Sequence, residues 1–197
     1  MGGTWTPQTP DWVVPSVSQI ADEHWLAYAM LRNQRDAWAA GVGTAISWVR
    51  SGRDAPITNR PERPVTRVLA QAESWAAEAA SDPTAGLPLD LIYRQLDVTP
   101  YPPKPGRNVK YTLGVWRALR WLLGVPDQAA PIPVPRRHPD GRLYTADDLY
   151  AEVIRTGDGR LSPEQRATKR IQAERDAAEY LHYDEQMTAV QEALRAR

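Results

Sequence analysis

Eighteen prolines set the frame of this 197-residue chain. Proline fixes φ, carries no amide donor and breaks a helix interior. Most of these prolines fall in bunches: Pro7, Pro10 and Pro15; Pro56, Pro61 and Pro64; Pro100, Pro102, Pro103 and Pro105; Pro126, Pro131, Pro133, Pro135 and Pro139. Between the bunches, apolar residues recur at steps of three and four, the period of an amphipathic helix. The chain is therefore expected to be all-α, with about six helices, Pro-rich connections, an extended N-terminal arm and a long C-terminal helix.

The expected order has an arm over 1–16, a helical domain over 17–160 and the long helix over 161–197. Ser16 with Gln19 gives a capping box at the head of a helix read to Ser51. Gly41 and Gly43 sit in its middle, where glycine permits a kink or close packing. A second helix fits 64–80, with Val65, Val68, Leu69, Ala72, Trp75, Ala76 and Ala79 as its stripe. A short third covers 88–97. A fourth, 108–123, is apolar around much of its girth and is the candidate for the centre of the core. A fifth follows Thr145, with Asp148 at the capping-box position. Ser162-Pro163-Glu164-Gln165 opens the last helix with an N-cap, a proline at the first position and a glutamine at the third.

Two stretches echo each other. Gly41-Val42-Gly43-Thr44-Ala45-Ile46-Ser47-Trp48 and Gly114-Val115-Trp116-Arg117-Ala118-Leu119-Arg120-Trp121 share four of eight residues at an offset of 73, and Asp54 matches Asp127 at the same offset. A duplicated helix-plus-proline-loop unit would give this pattern; so would chance between two Ala/Trp-rich helices. Val115-x-x-Ala118-Leu119-x-Trp121-Leu122-Leu123-Gly124, followed by its Pro-rich stretch, resembles a segment of small proteins from actinobacterial phages and prophages. The resemblance spans those ten of 197 positions. It implies a phage context and carries no functional residue with it.

Signals for chemistry are sparse. With no cysteine, thiolate catalysis, Cys-bound zinc and disulfides are excluded. His24, His138 and His182 lie on separate expected elements. Glu179-x-x-His182 has the spacing of half a di-iron site, but the sequence holds no second such motif. The acidic pairs Asp22-Glu23, Asp147-Asp148 and Asp184-Glu185 read as helix starts or charged faces, where carboxylates complement the helix dipole. No Gly-rich phosphate loop or nucleophile elbow is written in the chain. No enzymatic activity, metal or cofactor is expected.

Charge is balanced overall, 24 basic against 24 acidic, but unevenly spread. Residues 100–142 hold 8 basic and 2 acidic groups, net +6, while 1–99 and 143–197 each hold 8 and 11, net −3. A basic middle over 104–142, with Lys110, Arg117, Arg120, Arg136 and Arg137 as its anion contacts, could meet nucleic acid or a partner's acidic surface. Equally, these groups could pair with the chain's own acidic helices. The candidate protein-interface residues are Trp5, Trp12, Val13 and Val14 in the arm, Tyr101 in the proline linker, and Tyr180 and Met187 on the last helix. Tryptophan anchors and preformed proline segments suit binding. The function expected is a non-enzymatic structural or assembly protein in a homo- or hetero-oligomer, a phage virion component. A nucleic-acid-binding or regulatory module using 104–142 is the alternative. With no signal-peptide pattern and no apolar run near the ~18 residues of a membrane span, the expected location is the host cytoplasm and then the phage particle.

Overall fold

The computed structural model describes residues 9–138, 140–156 and 161–195. Among them seven α-helices form and no strand: α1 (Val17–Gln34), α2 (Ala37–Ser51), α3 (Arg67–Ser81), α4 (Leu89–Gln95), α5 (Val109–Leu122), α6 (Ala146–Thr156) and α7 (Pro163–Arg195). The chain divides into two compact units, Met1–Pro133 and Val134–Arg197. None of the described helices is long and apolar enough to cross a membrane.

Helix starts follow the capping chemistry. The Ser16 hydroxyl accepts from Gln19 N at 3.3 Å, and the Gln19 side chain accepts from Ser16 N at 2.9 Å. Thr145 with Asp148 and Ser162 with Gln165 make the same reciprocal pair. Each pair satisfies amides that the first turn of a helix leaves without partners.

The single helix expected from Ser16 to Ser51 is two. Arg35 takes a left-handed conformation (φ 52°) and closes α1. Asp36 then caps α2, its carboxylate accepting from Trp38 N at 2.7 Å and Ala39 N at 3.4 Å. An aspartate at this junction supplies an acceptor for free amides, so a break costs little. Both glycines lie inside α2, which runs without interruption from Ala37 to Ser51. Gly41 lets α5 approach: a Cβ there would lie 2.1 Å from Tyr111 O. Gly114 on α5 repeats the arrangement, 2.3 Å from Trp38 O.

α5 packs against both α2 and α3, and Val115, Ala118, Leu119, Trp121 and Leu122 are buried. The inner face of α3 is rotated from the expected stripe. Ala70, Ala72, Glu73, Ala76 and Ala77 are buried, and Val68 is exposed. The rotation brings Glu73 under the proline-rich loop after α2. Its Oε1 accepts from Ile57 N at 2.6 Å and Thr58 N at 3.0 Å, and its Oε2 from the Thr58 hydroxyl at 2.6 Å. A buried irregular loop needs such an acceptor, because its amides have no ladder to join. Burial pushes the Glu73 carboxyl up, against the pull of those bonds and of nearby Arg60.

Candidate protein interfaces

The described part of the arm is fastened to its own unit. The Trp12 indole donates to Val65 O at 3.0 Å. Arg67 donates to Trp12 O at 3.3 Å and to Leu123 O at 2.9 Å. Val14 N donates to Leu122 O at 3.0 Å. Trp12 and Val13 are half-buried. Val14 turns outward, 63% exposed, over Gly124, where a Cβ would lie 2.5 Å from its Cγ2. Trp5 lies outside the described residues. Tyr101 is half-buried in the proline linker, its ring centroid 5.1 Å from the buried Arg60 guanidinium and its carbonyl accepting from the Tyr93 hydroxyl at 2.9 Å. Arg60 also sits 5.8 Å from the Tyr93 ring and donates to Thr99 O at 3.1 Å. Neither Arg60 nor Glu73 carries a local sequence signal. A charged residue is buried by partners far along the chain, which periodicity does not report.

In the second unit α6 packs on α7. Along α7, Ala173 and Met187 are buried and Tyr180 is half-buried, so this side of the expected stripe faces inward. Burial raises the Tyr180 phenol, and the Arg136 guanidinium works against it. Ile171 and Leu181 lie off this stripe, 66% and 54% exposed.

The basic middle belongs to both units. Lys104, Arg107, Lys110, Arg117 and Arg120 lie in the first; Arg136, Arg137 and Arg142 lie in the second. Each of the latter three has a carboxylate partner. Arg136 meets Glu152 at 2.6 Å, Arg137 meets Asp184, and Arg142 meets Asp140 at 2.7 Å. On α5 the arrangement differs. The Arg117 and Arg120 guanidiniums stand 5.8 and 5.1 Å from the Trp116 ring centroid, within cation–π range. Arg117 donates to the Gln128 amide oxygen at 2.8 Å, and Lys110 is exposed. None of the three forms an ion pair among the described residues.

Three further polar arrangements carry no local signal in the sequence. His24 on α1 and Ser47 on α2 meet at 3.1 Å (Nε2 to Oγ) beside a groove of about 500 Å³. Burial first, and the Arg50 and Arg53 charges after it, hold His24 below its usual range and so neutral. A neutral imidazole against a hydroxyl has the make-up of a base and nucleophile. Ser47 lies inside α2, however, where the adjacent amides belong to the helix ladder and offer nothing to an oxyanion. His138 contacts Asp148 at 3.1 Å and stacks on Tyr144 at 4.4 Å, bracing the turn before α6. Glu23 is fully buried, and its Oε1 accepts from Ile132 N at 2.8 Å. Burial pushes its carboxyl up to about 8, with the Ile132 bond acting the other way.

Glu179 and His182 do not converge. Glu179 accepts from the Tyr183 hydroxyl, and His182 contacts Gln186, both within α7. No group of three or more potential metal ligands gathers among the described residues. Compared with protein-family models, with curated proteins and with solved structures, the chain matches none.

Proposed function

We propose that this is a non-enzymatic assembly protein that binds other protein subunits through the outward face of α7, as a component of a phage particle. The length of α7 carries the reading. Its 33 residues rise about 50 Å at ~1.5 Å per residue. Its partner α6 has 11 residues and rises only about 16 Å at the same pitch. The side bearing Ile171 and Leu181 is open, and a helix with apolar residues on an open side gains by covering them. The likeness of Val115–Gly124 to phage and prophage proteins supports the setting.

Light-scattering mass tests it. The full chain is expected to form a defined oligomer, and Ile171→Lys with Leu181→Lys to reduce it to monomer without loss of helix by circular dichroism. A wild-type monomer, or an oligomer that ignores both changes, would overturn the α7 reading. Point changes serve better than removing residues 1–16, which would also strip the arm's bonds to Val65 and Leu122.

A nucleic-acid role has one observation behind it: on α5, Arg117 and Arg120 stand over the Trp116 ring, and neither they nor exposed Lys110 pair with a carboxylate among the described residues. It predicts binding that weakens steeply with salt and is lost in Arg117→Ala with Arg120→Ala.

A further inference from the structure

We infer that the arginine-lined cleft beside the N-terminal arm receives a short, carboxylate-bearing apolar segment of a partner protein; the inference rests on the assembly role proposed above and adds the chemistry of a partner to it. The cleft encloses about 930 Å³ in the first unit, lined by Trp12, Val49, Arg50, Arg63, Pro64 and Arg67 among others. That volume lies at the upper end of the ~300–1,000 Å³ typical of ligand sites.

The three arginines are held differently. Arg63 crosses the end of α2 because Gly52 there has no side chain: a Cβ would lie 2.5 Å from Nη1. Its Nη2 also reaches Asp54 at 3.2 Å. Arg67 donates to two backbone carbonyls, Trp12 O and Leu123 O, which fix its position, and it forms no ion pair among the described residues. Arg50, half-buried, forms no ion pair among the described residues. A carboxylate is the acceptor that guanidinium geometry fits best. Among the described lining residues the one carboxylate is Asp11, on the exposed arm. Among these described residues the cleft therefore has three guanidiniums against one carboxylate, an excess of positive charge.

The walls select against a phosphate backbone. The Trp12 indole N–H is already bonded to Val65 O, so the ring offers only its face. Pro10, Pro64 and Val49 add hydrocarbon. Such walls gain by covering proline rings or aliphatic side chains, as in grooves that read apolar peptides. Sugar and phosphodiester groups would bury them against polar atoms.

The test uses the full chain and two pools of synthetic peptides of about eight residues, a length typical of groove-binding segments. Both pools draw their apolar positions from Pro, Leu, Val and Trp. One carries two glutamates and the other two glutamines. By fluorescence anisotropy the Glu pool is expected to bind about tenfold more tightly, as for one charge-assisted hydrogen bond. Arg50→Gln should bring it down to the Gln pool, while Lys110→Gln, outside the cleft, should leave it unchanged. An Arg50→Gln protein that fails to fold is replaced by Arg50→Lys, expected to retain part of the preference. Equal binding of the two pools, or a preference that survives Arg50→Gln together with Arg63→Gln, would overturn the inference. So would an oligo-dT strand that binds more tightly than the Glu pool and is lost in the same variants. Mass separates the two readings. An oligomer without Glu-pool preference removes only the cleft, and a monomer with that preference removes only the α7 interface.

Discussion

Helices α2 and α5 carry the same eight-residue pattern and pack on each other. Where they touch they are alike. Gly41 faces Tyr111 O, Gly114 faces Trp38 O, and Trp38 and Tyr111 are themselves 73 residues apart. The contact is reciprocal in the way of an isologous subunit interface, here within one chain. The four shared residues, Gly41, Val42, Ala45 and Trp48 with their counterparts Gly114, Val115, Ala118 and Trp121, are buried in both helices. On the far side they differ. Thr44 and Ser47 stand where α5 has Arg117 and Arg120. α1 covers that side of α2, with His24 on Ser47 and Ala27 beside Gly43. The arginines of α5 lie against Trp116 instead. The shared residues are therefore those the contact requires, and the divergent ones answer to what covers the opposite face.

The largest break in this comparison should come from the paired glycines. Gly41→Val or Gly114→Val would drive a side chain into a carbonyl, with an expected loss of about 3 kcal/mol or more. Urea denaturation would report it, and an unchanged midpoint in both variants would mean the backbones do not touch. Next comes the cover over α2, through Glu23 on α1. Its folded pKa of about 8 lies above its ordinary 4.5, so the native state holds the proton more tightly than the unfolded chain. The stability this provides is full below about pH 4.5 and falls as pH rises to about 8, by at most about 1.4 kcal/mol per unit. Glu23→Gln should flatten that decline, gaining on the wild type from pH 5 to 8 in thermal melts. A gap that stays constant over that range would show that Glu23 does not titrate there.

A smaller effect, of opposite sign to the first, is expected at Gly43. A Cβ there would lie 3.6 Å from Ala27 Cβ, an ordinary contact. Gly43→Ala should raise stability by about 0.5–1 kcal/mol through helix propensity. A loss would place α1 closer to α2 than described. Smallest of all, replacing the exposed Arg117 by the Thr of α2 should change stability by no more than about 1 kcal/mol, the scale of exposed cation–π contacts. A large loss on denaturation would make this arginine part of the core.

What could be read from the sequence was what is local. Ser16, Thr145 and Ser162 announce their helices because a cap and its partner lie three residues apart. The proline bunches mark the connections. The break at Arg35-Asp36 was hidden because apolar periodicity continues on both sides of it, and an aspartate inside a pattern looks like any exposed residue. The candidate sites were less legible. Glu73, Glu23 and Arg60 are buried by Ile57, Ile132 and Tyr101, partners 16, 109 and 41 positions away. The basic middle reads as one patch in sequence, yet its members belong to two units and the later arginines are matched by Glu152, Asp184 and Asp140. The eight-residue echo was visible, but the reason for its glycines appears only once Trp38 and Tyr111 are seen opposite them.

The fastening of the arm has a mechanical consequence. A pull on the N-terminus would not simply peel α1 away. It would first load the Trp12 bond to Val65, the Arg67 bond to Trp12 and the Val14 bond to Leu122. Through them the force passes to the start of α3 and the end of α5, helices that pack directly on each other. The arm is thus a strap stitched across the packed pair of α3 and α5, and tension applied there is shared before any helix has to unwind.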